Sequence, residues 1–255
     1  MIDILHAGLG WPIALMIIAL SFVTSLITAA FGIGGGAVML AAMASLLPPA
    51  AIIPVHGIVQ FGSNVGRFII FRADIRCQVF APFAIGALAG VATGGALVVQ
   101  LDAAIIELAV GAFILWSVYA PMPRFMTRSG LVSGAVSSFL TMFFGGTGPF
   151  VAAFVRAQRY DRMGHVATQA TLMTLQHLLK TLTFGFLGFA FSQWLGFVAL
   201  VIAAGFLGTL AGRKVLFRID ERRFTQILGA ILTILALRLI YSGVTGLMGR
   251  PQEGG

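Results

Sequence analysis

The sequence predicts an all-α integral membrane protein made of two inverted structural repeats, each with a broken or re-entrant Gly-rich helix. Three observations predict it. The 255 residues are 59% hydrophobic and 9% charged, with a mean hydropathy of +1.01, whereas about a quarter of residues are charged in an ordinary soluble domain. Apolar runs fill nearly the whole length, and about 20 residues suffice to cross roughly 30 Å of hydrocarbon. Finally, the chain repeats itself: shifted by 113 positions, Phe31-Gly32-Ile33-Gly34-Gly35-Gly36 lies over Phe144-Gly145-Gly146-Thr147-Gly148-Pro149.

Full spans are expected at about 50 to 72, 77 to 99, 103 to 121, 163 to 189, 193 to 213 and 224 to 246. Two further segments, about 11 to 47 and 129 to 158, carry the Gly-rich breaks. The run from Trp11 to Phe31 has no basic stretch before it and no small-residue cleavage site after it, so it is expected to stay in the fold rather than act as a signal peptide. The register of the repeat continues into the next helix, where His56, Ser63, Asn64, Arg67 and Phe71 fall on Gln169, Gln176, His177, Lys180 and Phe184. At an offset of 118, Gly94 and Asp102 match Gly212 and Asp220, so both halves share one helix order. The expected repeats are residues 1–121 and 122–255.

Basic residues decide the expected sidedness. Arg72 and Arg76, then Arg124 and Arg128, then Arg156, Arg159 and Arg162, then Arg213, Lys214, Arg218, Arg222 and Arg223 form four loop groups, all cytoplasmic by the positive-inside rule. The uncharged loop from Leu46 to Ala50 then faces outward. The segment 129 to 158 has basic residues at both ends, so it must enter and return as a hairpin. One hairpin loop is outside where its counterpart is inside, which is the signature of halves running in opposite senses.

Non-helical backbone at membrane depth is tolerated only where protein or water covers it, since each unsatisfied amide in lipid costs several kcal/mol. Gly34-Gly35-Gly36 before Ala37, and Gly148-Pro149 before Phe150, read as N-termini of short half-helices, proline suiting a first helical position because its missing N–H would be unpaired anyway. Such termini offer free amides and about half a positive charge to an anion. Paired Gly/Pro-broken segments in two halves point to a carrier's binding site. Close packing of glycines is the plainer alternative reading.

The helix after each break carries a polar stripe at 3- and 4-residue spacing: His56, Gln60, Ser63, Asn64 and Arg67 in the first half, then Gln169, Met173, Gln176, His177 and Lys180 in the second. Stripes facing lipid would be costly, so both are expected to face inward, with Thr147 as a donor at the second break. Lys180 lies mid-span, where a buried cation needs a partner. Most of the eight acids are terminal or in loops, leaving Glu107 near a span start as the internal candidate. An anionic substrate is the more economical countercharge. His56 and His177 are either hydrogen-bonded core histidines or groups that respond to pH, with protons as a candidate coupling ion. Arg67, five residues before Arg72, reads equally as an interfacial anchor, and Arg238 has no repeat partner of like charge.

Several classes fall away. The net charge of +8 sits in short loops and marks orientation, not nucleic-acid binding. The single Cys77 forbids an internal disulfide, and its expected place is a buried apolar one. No serine, histidine and acid converge at a spacing suited to nucleophilic catalysis, so an enzyme is not expected. The glycines Gly86, Gly90, Gly94, Gly208 and Gly212 are expected to let helices approach closely. A membrane assembly or metal-delivery factor for a respiratory complex is the rival reading, resting on Met39, Met43, His56 and His177. No cofactor is expected, and a homodimer is a candidate assembly.

At both breaks, and in its two-halved layout of about 245 residues, the chain resembles the sulfite exporter TauE/SafE family of membrane permeases. The resemblance implies export, or uptake, of a sulfur-containing anion such as sulfite, sulfoacetate or another organosulfonate across a bacterial inner membrane. The chain departs from the family's usual look in two places: no proline follows the first Gly run between Leu40 and Ala44, and Thr147 stands where the first break has Gly34. On this expectation the substrate is held by Gly34, Gly35, Gly36, His56, Gln60, Asn64 and Arg67 from one half, and by Thr147, Gly148, Gln169, Gln176, His177 and Lys180 from the other.

Overall fold

A computed structural model describes residues 2–31, 34–98, 103–120, 123–215 and 221–248. Among these, eleven α-helices and a few 3-10 turns account for nearly all of the chain, and no strand occurs. The helices fall on the expected spans: α1 (Trp11–Phe31) and α2 (Gly35–Leu46) flank the first break, followed by α3 (Pro49–Ile70), α4 (Phe80–Val98) and α5 (Ala103–Tyr119). In the second half, a short α6 (Arg124–Arg128) precedes α7 (Gly130–Phe144) and α8 (Gly148–Ala157), which flank the second break. Then come α9 (Arg162–Phe186), α10 (Leu195–Val215) and α11 (Glu221–Met248).

Four segments, Trp11–Ala30, Cys77–Val98, Phe191–Lys214 and Gly229–Met248, are long and apolar enough to cross a membrane. Helices α3 and α9 have the length, at 22 and 25 residues, but spend one face on polar side chains. That face is buried: His56, Asn64, Gln176, His177 and Lys180 are all 2% exposed or less. Lipid meets instead a shell of apolar side chains such as Ile85, Leu88, Leu207, Ile234 and Leu237.

Helix pairing survives exchange of the two halves. The most extensive contacts are α4 with α7 and α1 with α10, which are the same pair once α1 is swapped for α7 and α4 for α10. The α3–α9 and α5–α11 pairs map onto themselves, and α3 meets α10 as α9 meets α4. Glycine makes the closest approaches. A Cβ on Gly86 or Gly90 would fall on the Leu131 or Ala135 carbonyl of α7, and one on Gly208 or Gly212 on the Phe22 or Leu26 carbonyl of α1. Small residues at such contacts let backbones pack without a side chain between them, as the sequence spacing predicts.

Described members of the four basic loop groups lie on one face. Arg76 Nη2 is 3.3 Å from Asp161 Oδ1, Arg162 Nη2 donates to the Ala30 carbonyl at 2.8 Å, and Arg213 stacks over the Phe71 ring at 5.8 Å. Thr127 of α6 shares a surface hollow with Arg156 of α8. On the opposite face, Pro49 and Ala50 gather with Val98, Ile106 and Leu187, and Ile4 covers Gly196. The exposed Arg76–Asp161 pair stabilises little by itself, but it fixes these loops to the same side. Cys77 corrects an expectation: it is exposed, because it sits at the mouth of α4, where Val79 takes the buried position.

Candidate functional site

Both breaks are sharp reversals. Gly34, with φ of 103°, precedes α2, and Gly145, with φ of 73°, ends α7; these left-handed conformations cost L-residues with a Cβ, and glycine adopts them freely. Beyond Gly145 the chain needs only two residues before α8 starts at Gly148 with Pro149 in its first turn. The second break is braced from within. Thr141 Oγ1 donates to the Gly145 carbonyl at 3.2 Å, and Gln176 Nε2 donates to Thr147 Oγ1 at 3.2 Å.

The two half-helix N-termini open onto one cavity of ≈ 30 Å³, to which Gly34, Gly36 and Ala37 contribute from one break and Gly145, Gly146, Gly148 and Pro149 from the other. Side chains from α3 (His56, Gln60, Asn64 and Arg67) and from α9 (Gln169, Met173 and His177) complete the wall, with Thr28 of α1. Nine of the expected site residues therefore meet here. The other four, Gly35, Thr147, Gln176 and Lys180, lie just outside the lining. Gly35 packs on Thr24 and Thr28 of α1, Thr147 and Gln176 bond to each other, and Lys180 Cε and Nζ would be 2.6 and 3.6 Å from a Cβ on Gly57.

Thr28 was not among the expected residues. Its signal lay in the sequence: Ser21, Thr24, Ser25 and Thr28 form a polar stripe at helical spacing just before the first break. That stripe also ties α1 to its neighbours, with Ser25 Oγ 3.1 Å from Ser63 Oγ and Ser21 Oγ donating to the Val201 carbonyl at 2.7 Å.

Unused hydrogen-bonding capacity concentrates around the cavity. His56 Nε2 lies 3.1 Å from the Gly36 carbonyl; since a carbonyl only accepts, Nε2 donates, and Nδ1 has no partner. His177, 1% exposed, has no partner at either ring nitrogen, and Gln169 Oε1 has none. The two imidazoles stand edge to face with centroids 6.0 Å apart. Arg67 Nη2 donates to Asn64 Oδ1 at 2.7 Å, Asn64 Nδ2 donates to the Gln60 carbonyl at 2.7 Å, and Arg67 Nε is bare. Arg67 is 5% exposed, and Lys180 is 0% exposed with Nζ unpartnered. No described carboxylate, Glu107 included, forms an ion pair with Arg67 or Lys180. Buried polar groups ordinarily have partners and buried charges a counter-ion. A small anion entering this cavity would supply both.

No group of three or more His, Cys, Asp or Glu side chains gathers to hold a metal among the described residues, and Met39 and Met43 are packed into the apolar core. The model of one protein family, described as Sulfite exporter TauE/SafE, matches residues 17–239. The chain belongs to this family. Membership makes it a membrane permease of the sulfite exporter kind, in keeping with its apolar helices. The match runs from within α1 into α11, so it takes in both breaks and both polar helices. Searches of curated proteins and of solved structures found no match to the chain.

Proposed function

We propose that this family member is a secondary transporter, working as an exporter, that carries a small sulfur-containing anion bound between the N-termini of α2 and α8. Arg67 supplies the countercharge, and His177, His56, Gln169, Gln60 and Asn64 supply hydrogen bonds. What supports this reading above all is that two helix N-termini from different halves share one cavity with a buried guanidinium and unpartnered imidazole nitrogens. Helix-terminal amides and arginine both favour oxyanions, the first by dipole and free N–H groups and the second by its planar fork of donors.

Size favours the compact end of the substrate class. The cavity is roomy enough for about two water molecules, which suits sulfite better than an organosulfonate bearing a second charged end. The two halves, residues 1–121 and 122–255, act as repeats of opposite sense: the hairpin α1–α2 ends beside Pro49 on the uncharged face, with its turn toward Arg162, whereas α7–α8 starts and ends beside basic loops. Rocking of one half on the other then alternates access to a site at their junction. The membrane is the inner membrane of a bacterium, with the basic face in the cytoplasm.

Purified protein reconstituted in liposomes is expected to release trapped ³⁵S-sulfite far faster than protein-free liposomes. In detergent, sulfite is expected to raise its thermal midpoint in a concentration-dependent way, because a ligand that binds only the folded state stabilises it. Sulfoacetate, taurine and sulfate serve as comparisons. A midpoint unmoved by sulfite or any of these compounds, together with no flux, would contradict the reading.

A further inference from the structure

The polar wall of the cavity is lopsided in a way that the repeat makes legible. Under the 113-residue shift, His56 falls on Gln169 and Asn64 on His177, and all four side chains line the cavity. Among the polar side chains of the lining, two break this rule. Thr28 and Arg67 line the cavity, while their counterparts Thr141 and Lys180 do not and are both 0% exposed. Thr28 and Arg67 also mark a direction: Thr28 lies half a turn before Ala30, which receives Arg162, and Arg67 one turn before Phe71, which lies under Arg213. The cavity thus extends from the histidine pair toward the basic face. On the other side it is stopped where Gly145 and Gly146 abut His56, Leu40 and Ile53.

Outside the lining, a further set of buried polar atoms has no partner. Lys180 Nζ, Thr181 Oγ1, Gln176 Oε1, Ser137 Oγ and Ser138 Oγ are all buried without a hydrogen-bond partner. Ser137 and Ser138 are the repeat counterparts of Thr24 and Ser25, on the same helical stripe as Thr28 and Thr141. So many unsatisfied groups are costly unless another arrangement of the molecule uses them.

We propose that Lys180 is a second anion-binding station, the counterpart of Arg67, with Thr141 and Ser138 as the counterparts of Thr28 and Ser25, and that it meets the substrate when the cavity opens toward the uncharged face. This rests on the reading of the chain as a carrier of small anions. Rocking exchanges the roles of the two halves: Thr28 and Arg67 become buried as Thr141 and Lys180 line the cavity, and the anion passes from guanidinium to ammonium across the shared centre at His56, Asn64, Gln169 and His177. The charged and titratable groups facing Lys180 are His56 on α3 and His177 on its own helix. The described residues of α4, α7 and α10 present none to it.

The test uses Cys77→Ser protein in liposomes, with Thr28→Cys, Thr141→Cys or Ser138→Cys added singly and a membrane-impermeant methanethiosulfonate applied from one side at a time, without any anion substrate. Thr28→Cys is expected to react only from the basic face, and Thr141→Cys and Ser138→Cys only from the opposite face. Ser138→Cys, which breaks no hydrogen bond, covers the case in which Thr141→Cys fails to fold. In parallel, Lys180→Met is expected to lower ³⁵S-sulfite flux at least tenfold. Cysteines at 138 and 141 that react from the basic face or from neither, or a Lys180→Met protein with undiminished flux, would overturn the second station. If no protein carries sulfite yet the labelling pattern holds, the choice of substrate fails and the two-station path stands.

Discussion

Arg67→Ala is expected to lower sulfite flux by about 100-fold, the largest loss from any single side chain in the cavity. A hydrogen bond to a charged group contributes about 1.5–3 kcal/mol, and each 1.4 kcal/mol is roughly tenfold in affinity. Arg67 brings its charge to a wall where, among the described residues, no other cation lines the space. Its loss also strips Asn64 Oδ1 of its 2.7 Å donor, so the amide is free to turn and a second ligand group is misplaced. Arg67→Lys separates the parts of this effect: it keeps the charge but not the planar fork, and an intermediate flux, closer to wild type than alanine, is the expected result. Flux from reconstituted vesicles at a series of sulfite concentrations reads both variants.

Gly35→Ala is expected to damage the fold itself. A methyl there would fall on the Thr24 carbonyl and against Thr28 Oγ1, and both belong to α1, the helix on which α2 folds back. Backbone cannot move aside as a flexible side chain does, so the two halves of the hairpin must part. Overpacking of this kind costs about 1–3 kcal/mol, which corresponds to a fall in thermal midpoint of roughly 2–4 °C per kcal/mol for a protein of this size. Gly148→Ala is the contrast, because its added methyl would meet only Met173 Cε at 3.8 Å, an ordinary contact. Thermal unfolding of the two variants, followed by intrinsic fluorescence in detergent, is expected to show a clear drop for the first and little change for the second.

Much of this was legible in the sequence because the bilayer leaves few choices. Lipid cannot satisfy a backbone amide, so a Gly-Gly-Gly or Gly-Pro interruption within an apolar run had to be covered by protein, and its recurrence after 113 residues placed both breaks in equivalent settings. The polar stripes of α3 and α9 followed from the same economy. The register within the cavity was less legible. Lys180 and Arg67 are equivalent in sequence and both buried, yet only Arg67 lines the space, since that depends on how the helices pack around the cavity rather than on either residue's neighbours in the chain. Thr28 was overlooked for a simpler reason: a hydroxyl in a membrane helix usually bonds its own backbone, as Thr28 Oγ1 does to the Thr24 carbonyl at 2.8 Å, and so carries little signal of its own. Cys77 is exposed despite its apolar character because it stands at the end of a span.

The central claim is that an oxyanion sits between the N-termini of α2 and α8. Selenite, a heavier relative of sulfite, tests it most directly by anomalous scattering from crystals of the protein grown with the ion. The account predicts one selenium peak among Gly36, Pro149, His177 and Arg67 that disappears when excess sulfite is added. A sulfite-displaceable peak elsewhere, with that space left empty, would contradict it.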